Sequence, residues 1–378
     1  MKQPIHLVFA GGGTAGHLFP GLAVARQLAA EIRRLRITFT GGGKDFERRH
    51  VAASGFDYFA LPCRPLPRAA REAVSFVVEN IAGYLAAKRF LRDEQVSGVI
   101  GLGGYASMPM GRAAAKCHVP LVLLEQNVVP GRATRWLAPS AQLVCASFPQ
   151  SVADLRHRCA TRLTGNPIRH VVARPESTSS DAEMRPRQLL VLGGSGGARS
   201  LNDNVPRALY KAHSLLAGWR IVHQSGEADL DATRELYRKL DIDATVSAFV
   251  ADVPEVLAVS DLAICRAGGT TLAELAAAGV PTVLLPYPHA TDDHQRRNAD
   301  VFVAAGGALL VDERQLTGRL DDQLAETVGM LVAEADRLAA MSQAMLGLGR
   351  PDAAADVAAL VWSVVSSQAR RSRLPAAA

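Results

Sequence analysis

Aromatic residues are scarce in this chain of 378 residues, at 5% of the total, which argues against a stacking platform for single-stranded nucleic acid. Cysteine is sparse too. The five present (Cys63, Cys117, Cys145, Cys159 and Cys265) are odd in number and form no CxxC pair. That fits a reducing compartment and excludes a zinc ribbon or a disulfide framework. No uninterrupted apolar run is long enough to span a bilayer. The opening MKQPIHLVFAGGG has one Lys and a short apolar run before its glycines, so it reads as a first β-strand rather than a signal peptide. A cytoplasmic protein is expected, with any membrane contact peripheral.

What is abundant points to two buried cores. Hydrophobic residues make up 48% of a length suited to two domains. Lys plus Arg number 42 against 36 Asp plus Glu, a net +6 that favours anionic partners without choosing among phosphates, nucleic acid and acidic lipid. Apolar runs at His6 to Ala10, Ile37 to Thr40, Val99 to Leu102, Leu121 to Leu124 and Leu143 to Ala146 alternate with helical stretches such as Leu22 to Ile32 and Ala113 to Cys117. This βαβ alternation predicts a parallel sheet covered by helices. The Pro/Ser-rich RPESTSSDAEMRPR (174–187) reads as a linker, after which the pattern restarts. Strands are expected at Gln188 to Leu192, Arg220 to His223, Val246 to Val250, Leu262 to Cys265 and Thr282 to Leu285, and a last helix at Asp352 to Val365.

Each half opens with a strand followed by a glycine-rich turn into a helix: GGGTAGH in the first, GGSGGAR in the second. Such a turn brings backbone N–H groups to the positive end of a helix dipole, where an oxygen-rich anion is favoured. One such loop also serves tight βα packing alone; two equivalent loops are more specific. Neither ends in GK[ST], which disfavours a P-loop NTPase, and the first lacks GxGxxG in frame, which weakens a dinucleotide oxidoreductase. His17 closes the first loop, either as a hydrogen-bonding residue of the helix start or as a base kept neutral by the helix N-terminus. In CRAGGTTLAELAAAGVP, Arg266 follows a buried strand, Gly268 and Gly269 turn, and Glu274 lies one turn into the helix. There it complements the dipole or accepts both hydroxyls of a ribose. His294, Gln295 and Asn298 in HATDDHQRRNA suit sugar hydroxyls or an ordinary polar loop. The DDH at Asp292 is the nearest approach to a metal motif, and neither metal nor other cofactor is expected.

These pieces, in order GGGTAGHLFPGLAVA, GGYASMP, EQNVVPGRATRWLA, GNPIR, LLVLGGSGGARSLN, HQSG, CRAGGTTLAELAAAGVP and DDHQRRNA, cover nearly the whole chain. Together they resemble the MurG family of glycosyltransferase family 28, the UDP-N-acetylglucosamine transferases of peptidoglycan precursor synthesis. The resemblance implies an α/β GT-B fold, two Rossmann-like domains whose parallel sheets face a central cleft. An acceptor and membrane-binding domain would span 1–173, the linker 174–187 and a UDP-GlcNAc domain 188–348, with 349–378 returning to the first domain. It implies inverting transfer of GlcNAc from UDP-GlcNAc to the C4 hydroxyl of undecaprenyl-diphosphoryl-MurNAc-pentapeptide (lipid I), at the cytoplasmic face of the plasma membrane and without nucleic acid. Carried over, Thr14, Ala15 and Gly16 lie beside donor sugar and acceptor diphosphate, His17 is the candidate base, and Tyr105 and Asn127 line the same cleft. Arg169 and Ser195 meet the donor diphosphate, and Val250 meets uracil through its backbone. The run Gly269, Thr270, Thr271, Leu272, Ala273 and Glu274 cradles the nucleotide, with Glu274 on the ribose, and Arg266 beside it is a further substrate-binding candidate from its place after the strand. His294 and Gln295 reach the sugar, and Asn298 stays a substrate-binding candidate on its residue type.

Two departures from the family pattern stand out. Leu124 replaces the usual His before EQN, which removes a titratable group and leaves Glu125 as the second candidate catalytic residue, more suited to orienting than to titrating. Ala15 replaces a commoner Gly, acceptable only where φ is negative. An anionic membrane surface is an expected partner of Phe76, Val77, Ile81, Tyr84, Leu85 and Phe90, ringed by Arg64, Arg68, Arg71, Lys88 and Arg89. The other reading of that segment is an amphipathic helix packed on the sheet. The competing functions are a UDP-GlcNAc 2-epimerase and a non-catalytic nucleotide-sugar-binding scaffold.

Overall fold

The apolar runs are parallel strands buried on both faces, which is why they read as near-continuous Val, Leu and Ile instead of alternating with polar residues. The computed structural model describes residues 4–67, 69–169, 185–194 and 196–371. Most of the linker assigned to 174–187, as well as Arg68 and Ser195, therefore lies outside the described residues. The chain divides into two compact units, Met1–Ile168 with Asp352–Ala378, and Arg169–Pro351.

The first unit holds strands β1 (Ile5–Gly11), β2 (Leu35–Gly41), β3 (Asp57–Ala60), β4 (Gly98–Gly103), β5 (Leu121–Glu125), β6 (Leu143–Ala146) and β7 (Thr161–Leu163). They form one parallel sheet in the order β3-β2-β1-β4-β5-β6-β7. Its helices are α1 (Ala15–Glu31), α2 (Asp45–Ala53), α3 (Ala73–Asp93), α4 (Met108–Lys116), α5 (Arg132–Leu137) and α6 (Pro149–Leu155). The chain steps one way through β1, β2 and β3, then the other way through β4 to β7. Right-handed crossovers accordingly put α1 and α2 on one face and α3 to α6 on the other. Close packing holds the second layer together: a Cβ at Gly111 of α4 would sit 2.7 Å from Leu137 of α5. The helix α1 begins seven residues before the expected Leu22, because Pro20 is accommodated inside it.

The second unit repeats the plan with β8 (Gln188–Leu192), β9 (Arg220–Gln224), β10 (Thr245–Ser247), β11 (Leu262–Cys265), β12 (Thr282–Leu284) and β13 (Ala308–Leu310), ordered β10-β9-β8-β11-β12-β13. Helices α7 (Arg199–Lys211), α8 (Leu230–Lys239), α9 (Val253–Ala258), α10 (Gly269–Ala277), α11 (His294–Ala304), α12 (Leu320–Ala333) and α13 (Ala335–Leu348) cover it. The expected strand Val246 to Val250 stops at Ser247. The reason is that Val250 donates its N–H to the Gln224 side chain at 2.9 Å instead of extending the ladder. The last helix, α14 (Ala353–Arg371), packs in the first unit against α1, and Val365 closes on Gly98 at the foot of β4.

In each sheet the strand order reverses once, between β1 and β4 and between β8 and β11. Ligands in open α/β sheets bind outside the carboxyl ends of the strands at such a switch point. GGGTAGH follows β1 and GGYASMP follows β4; GGSGGAR follows β8 and CRAGGTT follows β11. Topology thus gathers motifs far apart in sequence at two points.

Candidate functional site

At the first switch point the glycine loop rests on a buried carboxylate that sequence reasoning missed. Glu47 of α2 is fully buried. It accepts from Gly13 N–H at 2.5 Å, Gly43 N–H at 3.1 Å, Lys44 N–H at 3.2 Å and Tyr58 O–H at 2.5 Å. Room for it exists because Gly12 (φ +146°) and Gly41 lack side chains; a Cβ at either would lie within 2.8 Å of its oxygens. Lys44 Nζ returns a hydrogen bond to the Gly13 carbonyl at 3.1 Å. Burial and the bond to Glu47 raise the Tyr58 hydroxyl well above its ordinary pKa. The signal available in sequence was Glu47 three residues after Lys44, the spacing of a helix-start carboxylate reaching back to the N-cap amide.

Thr14 caps α1, and its Oγ1 lies 3.1 Å from His17 Nδ1. The hydroxyl can donate or accept there; in the tautomer in which Nδ1–H donates to Thr14, the lone pair for proton acceptance falls on Nε2. The His17 ring packs on the backbone of Gly103 and Gly104; a Cβ at Gly103 would lie 3.0 Å from its Cδ2. Both glycines have positive φ, +92° and +70°, so this close approach excludes any other residue. Ala15 has no positive φ, which is why its methyl is tolerated. Tyr105 is half-buried beside Gly42, and burial raises its hydroxyl pKa.

Glu125 is placed differently from a catalytic acid or base. It is 2% exposed and accepts from Asn127 N–H at 3.1 Å and Gly131 N–H at 2.9 Å, with Asn127 Nδ2 at 3.4 Å. Burial raises its pKa against these bonds and that of Thr134. It shapes the loop that presents Asn127. Leu124 is buried in β5, so the missing His leaves a packed apolar side chain.

At the second switch point Arg169 Nε donates to Glu274 Oε1 at 2.9 Å, both groups mostly shielded. Glu274 lies in the first turns of α10, and the first-turn N–H groups of Gly269, Thr270 and Thr271 form that helix's positive end. Ala273 is half-buried in the same helix. Leu272 has its side chain fully buried and its N–H bonded to Gly268 O at 3.0 Å. Arg266 turns inward as well. It pairs with Glu313, donates to the carbonyls of Leu285 (3.1 Å) and Pro286 (3.3 Å) and lies over the Tyr287 ring, while Glu313 also accepts from Ser200 at 2.8 Å. It is a clasp between loops. Asn298, a substrate-binding candidate in sequence, is fully buried and donates to Ala267 O at 3.1 Å, supporting the glycine turn from below.

His294 and Gln295 do stand at the start of α11, half-buried. His294 Nδ1 donates to Thr291 O at 2.8 Å, and Gln295 Oε1 accepts from Tyr287 N–H at 2.9 Å. The two residues before them, Asp292 and Asp293, both have left-handed backbone (φ +54° and +53°), a conformation that needs external support. Arg314 supplies it, reaching Asp293 at 3.0 Å and Asp312 at 3.1 Å, and holds Asp312 at a pKa of about 2.

Beneath this site His223 is fully buried between Tyr237 OH (2.9 Å, at Nδ1) and Asn202 Oδ1 (3.0 Å, at Nε2). Asn202 Nδ2 donates to Ser225 O and Asp229 Oδ2, which fixes its Oδ1 toward His223 and puts the ring proton on Nε2. Burial lowers His223 from 6.5 to about 4. The unfolded chain takes up a proton near pH 6.5 that the folded chain refuses, so stability is full above that pH and falls toward pH 4. The loss attributable to His223 is about 3 kcal/mol. Urea unfolding at several pH values should show a shallower acid slope for His223→Gln than for the unaltered chain; equal slopes would contradict this placement.

A family model described as glycosyltransferase family 28 N-terminal domain matches residues 7–145, and one described as glycosyltransferase family 28 C-terminal domain matches 188–357. The UDP-N-acetylglucosamine–N-acetylmuramyl-(pentapeptide) pyrophosphoryl-undecaprenol N-acetylglucosamine transferase of Geobacter metallireducens is 35% identical over 356 residues, covering 93% of this chain and 96% of that protein. Its namesake from Methylococcus capsulatus is 38% identical over 359 residues, with 93% and 96% covered. Among solved structures, Acinetobacter baumannii MurG superposes with a TM-score of 0.73 at 28% identity, covering 95% of this chain and all of that one. A putative UDP-N-acetylglucosamine 2-epimerase from Listeria monocytogenes superposes with a TM-score of 0.67 at 15% identity, a likeness of fold alone.

Proposed function

Given that the chain belongs to glycosyltransferase family 28, with the GT-B fold of its relatives, we propose that it transfers GlcNAc from UDP-GlcNAc to the C4 hydroxyl of MurNAc in undecaprenyl-diphosphoryl-MurNAc-pentapeptide. The observation that carries this reading is similarity over 93% of the chain to transferases named for that reaction. The two switch points and their motifs support it. In a single inverting displacement His17 Nε2 takes the acceptor proton as the hydroxyl attacks the anomeric carbon. The departing diphosphate is met by the positive end of α10 and by Arg169. Glu274, with two acceptor oxygens, receives the ribose hydroxyls, and His294 and Gln295 address the sugar. Binding of the ribose competes with Arg169 for Glu274, which frees the guanidinium for the phosphates. Calorimetry on Glu274→Ala tests the donor half: UDP-GlcNAc binding should weaken by about 1.5–3 kcal/mol, the range for a hydrogen bond to a charged group. An unchanged dissociation constant removes Glu274 from the ribose. Incubation with UDP-GlcNAc alone tests the epimerase alternative, for which accumulation of UDP-ManNAc would be the signature.

A lipid acceptor requires approach to a membrane, and among the described residues no helix is long and apolar enough to cross one. Peripheral docking through α3, at the cytoplasmic face, is the reading supported here. Of the six apolar side chains expected to carry it, Val77, Ile81 and Leu85 are exposed and the three aromatics are not. Phe76 and Tyr84 are half-buried, Tyr84 and Phe90 pack against the core, and Phe90 stacks on Phe59 at 4.6 Å. The exposed stripe is Val74, Val77, Val78, Ile81 and Leu85, each at least half exposed, at helical spacing. Arg71 and Arg89 flank it, while Arg64 is held by Glu79 and Lys88 lies over the Tyr84 ring. Changing Val77, Ile81 and Leu85 together to Ser should abolish flotation with anionic vesicles at low salt and leave UDP-GlcNAc binding intact. Undiminished flotation would place the docking surface elsewhere.

A further inference from the structure

The strand order β10-β9-β8 sets the end of β9 between the loop after β8, which carries the second glycine motif, and the loop after β10, which carries Val250. Gln224 is the last residue of β9 and is buried at 4% exposure. Its side-chain nitrogen donates to the Gly194 carbonyl at 2.8 Å, and its Oε1 accepts from Val250 N–H at 2.9 Å. These two partners fix the amide orientation, since a carbonyl only accepts and an N–H only donates. The neighbouring backbone is locked too: a Cβ at Gly197 would lie 2.2 Å from the Ser225 carbonyl, and one at Gly226 would lie 2.7 Å from Gly197. Ser225 and Gly226 in turn donate to Ser247 and Ala248, at 3.0 and 3.1 Å.

We propose that Gln224 is a positioning residue for the donor: one side chain spans the diphosphate loop and the base loop and fixes the distance between them, so that a pyrimidine nucleoside diphosphate fits both at once. The inference rests on the proposed function and on the roles that the family resemblance implies for these loops, the loop after β8 on the diphosphate and Val250 on the uracil. It also changes what Val250 can offer. Its N–H is committed to Gln224, so recognition of the base there falls to its carbonyl, an acceptor suited to an imide N–H.

Gln224→Glu keeps the acceptor for Val250 but sets an oxygen against the Gly194 carbonyl. At about pH 8 it should weaken UDP binding by about tenfold or more and raise KM for UDP-GlcNAc in proportion, with kcat and the acceptor KM nearly unchanged. Toward about pH 6 the protonated side chain can donate to Gly194 again, and affinity should recover. Gln224→Met lacks both bonds and should be weak at every pH; it carries the test if the Glu variant does not fold. Binding of UDP by either folded variant equal to that of the unaltered chain overturns the proposal, as does a fall in kcat with both KM values unchanged. If the unaltered chain itself fails to bind UDP, the reading of the two loops falls with it. UDP binding by the unaltered chain with no loss in the variants overturns the role of Gln224 alone.

Discussion

Replacement of His17 by Ala is expected to lower kcat by about 10²–10⁴-fold, the usual contribution of a positioned general base. KM for UDP-GlcNAc should change little, because the groups assigned to the nucleotide all lie in the other unit. The geometry behind this is specific. Thr14 Oγ1 holds one ring nitrogen at 3.1 Å, and the Gly103–Gly104 backbone forms a wall against the ring. His17→Asn retains a partner for Thr14 without an imidazole and should be as slow as the Ala variant. Steady-state kinetics with saturating acceptor reads both. A variant with near-normal kcat would show that another group removes the acceptor proton.

The second large effect belongs to a residue outside any motif. Glu47→Ala takes the acceptor from the Gly13 and Lys44 N–H groups and the Tyr58 hydroxyl, while Gly43 N–H keeps the Tyr58 oxygen at 2.9 Å. Each buried polar group left unsatisfied costs about 1–3 kcal/mol, partly recovered by entering water, so a loss of at least about 3 kcal/mol of stability is expected. Activity should fall further than stability alone explains, since Gly13 loses the bond that orients the loop leading to Thr14 and His17. Glu47→Gln keeps the volume but must turn an NH₂ toward a donor, and it should fall between the two. Denaturant melts alongside activity measure this; a change in stability under about 1 kcal/mol would mean that the carboxylate is not what holds the loop.

Much of this arrangement was legible in the chain. Strands buried on both faces announce themselves as short apolar runs, and Gln188–Leu192 and Leu262–Cys265 match their expected bounds. Short edge strands did not: β3 and β7 carry few buried side chains, so no apolar run marks them. Motif residues could be named without their orientation being known. Arg266 and Asn298 look like ligand groups in sequence, yet they spend their hydrogen bonds on Glu313 and Ala267 beneath the loops. Nothing local distinguishes a polar side chain that faces a ligand from one that props up the backbone facing it. The same limit applies to α3: of the six apolar residues named there, Val77, Ile81 and Leu85 stand in solvent, while Phe76, Tyr84 and Phe90 are half-buried. Gln224 was visible within HQSG, but its partners are 30 and 26 residues away, and only the strand order brings them together.

The most direct test of the account is a transfer assay with labelled UDP-GlcNAc and a short-chain analogue of the undecaprenyl-diphosphoryl-MurNAc-pentapeptide acceptor, with the products separated and the new linkage read by NMR. The account predicts label in a lipid-linked disaccharide with inverted anomeric configuration at the C4 position of MurNAc, and stoichiometric UDP. Label remaining on nucleotide in the presence of acceptor, or a product with retained configuration, would contradict it.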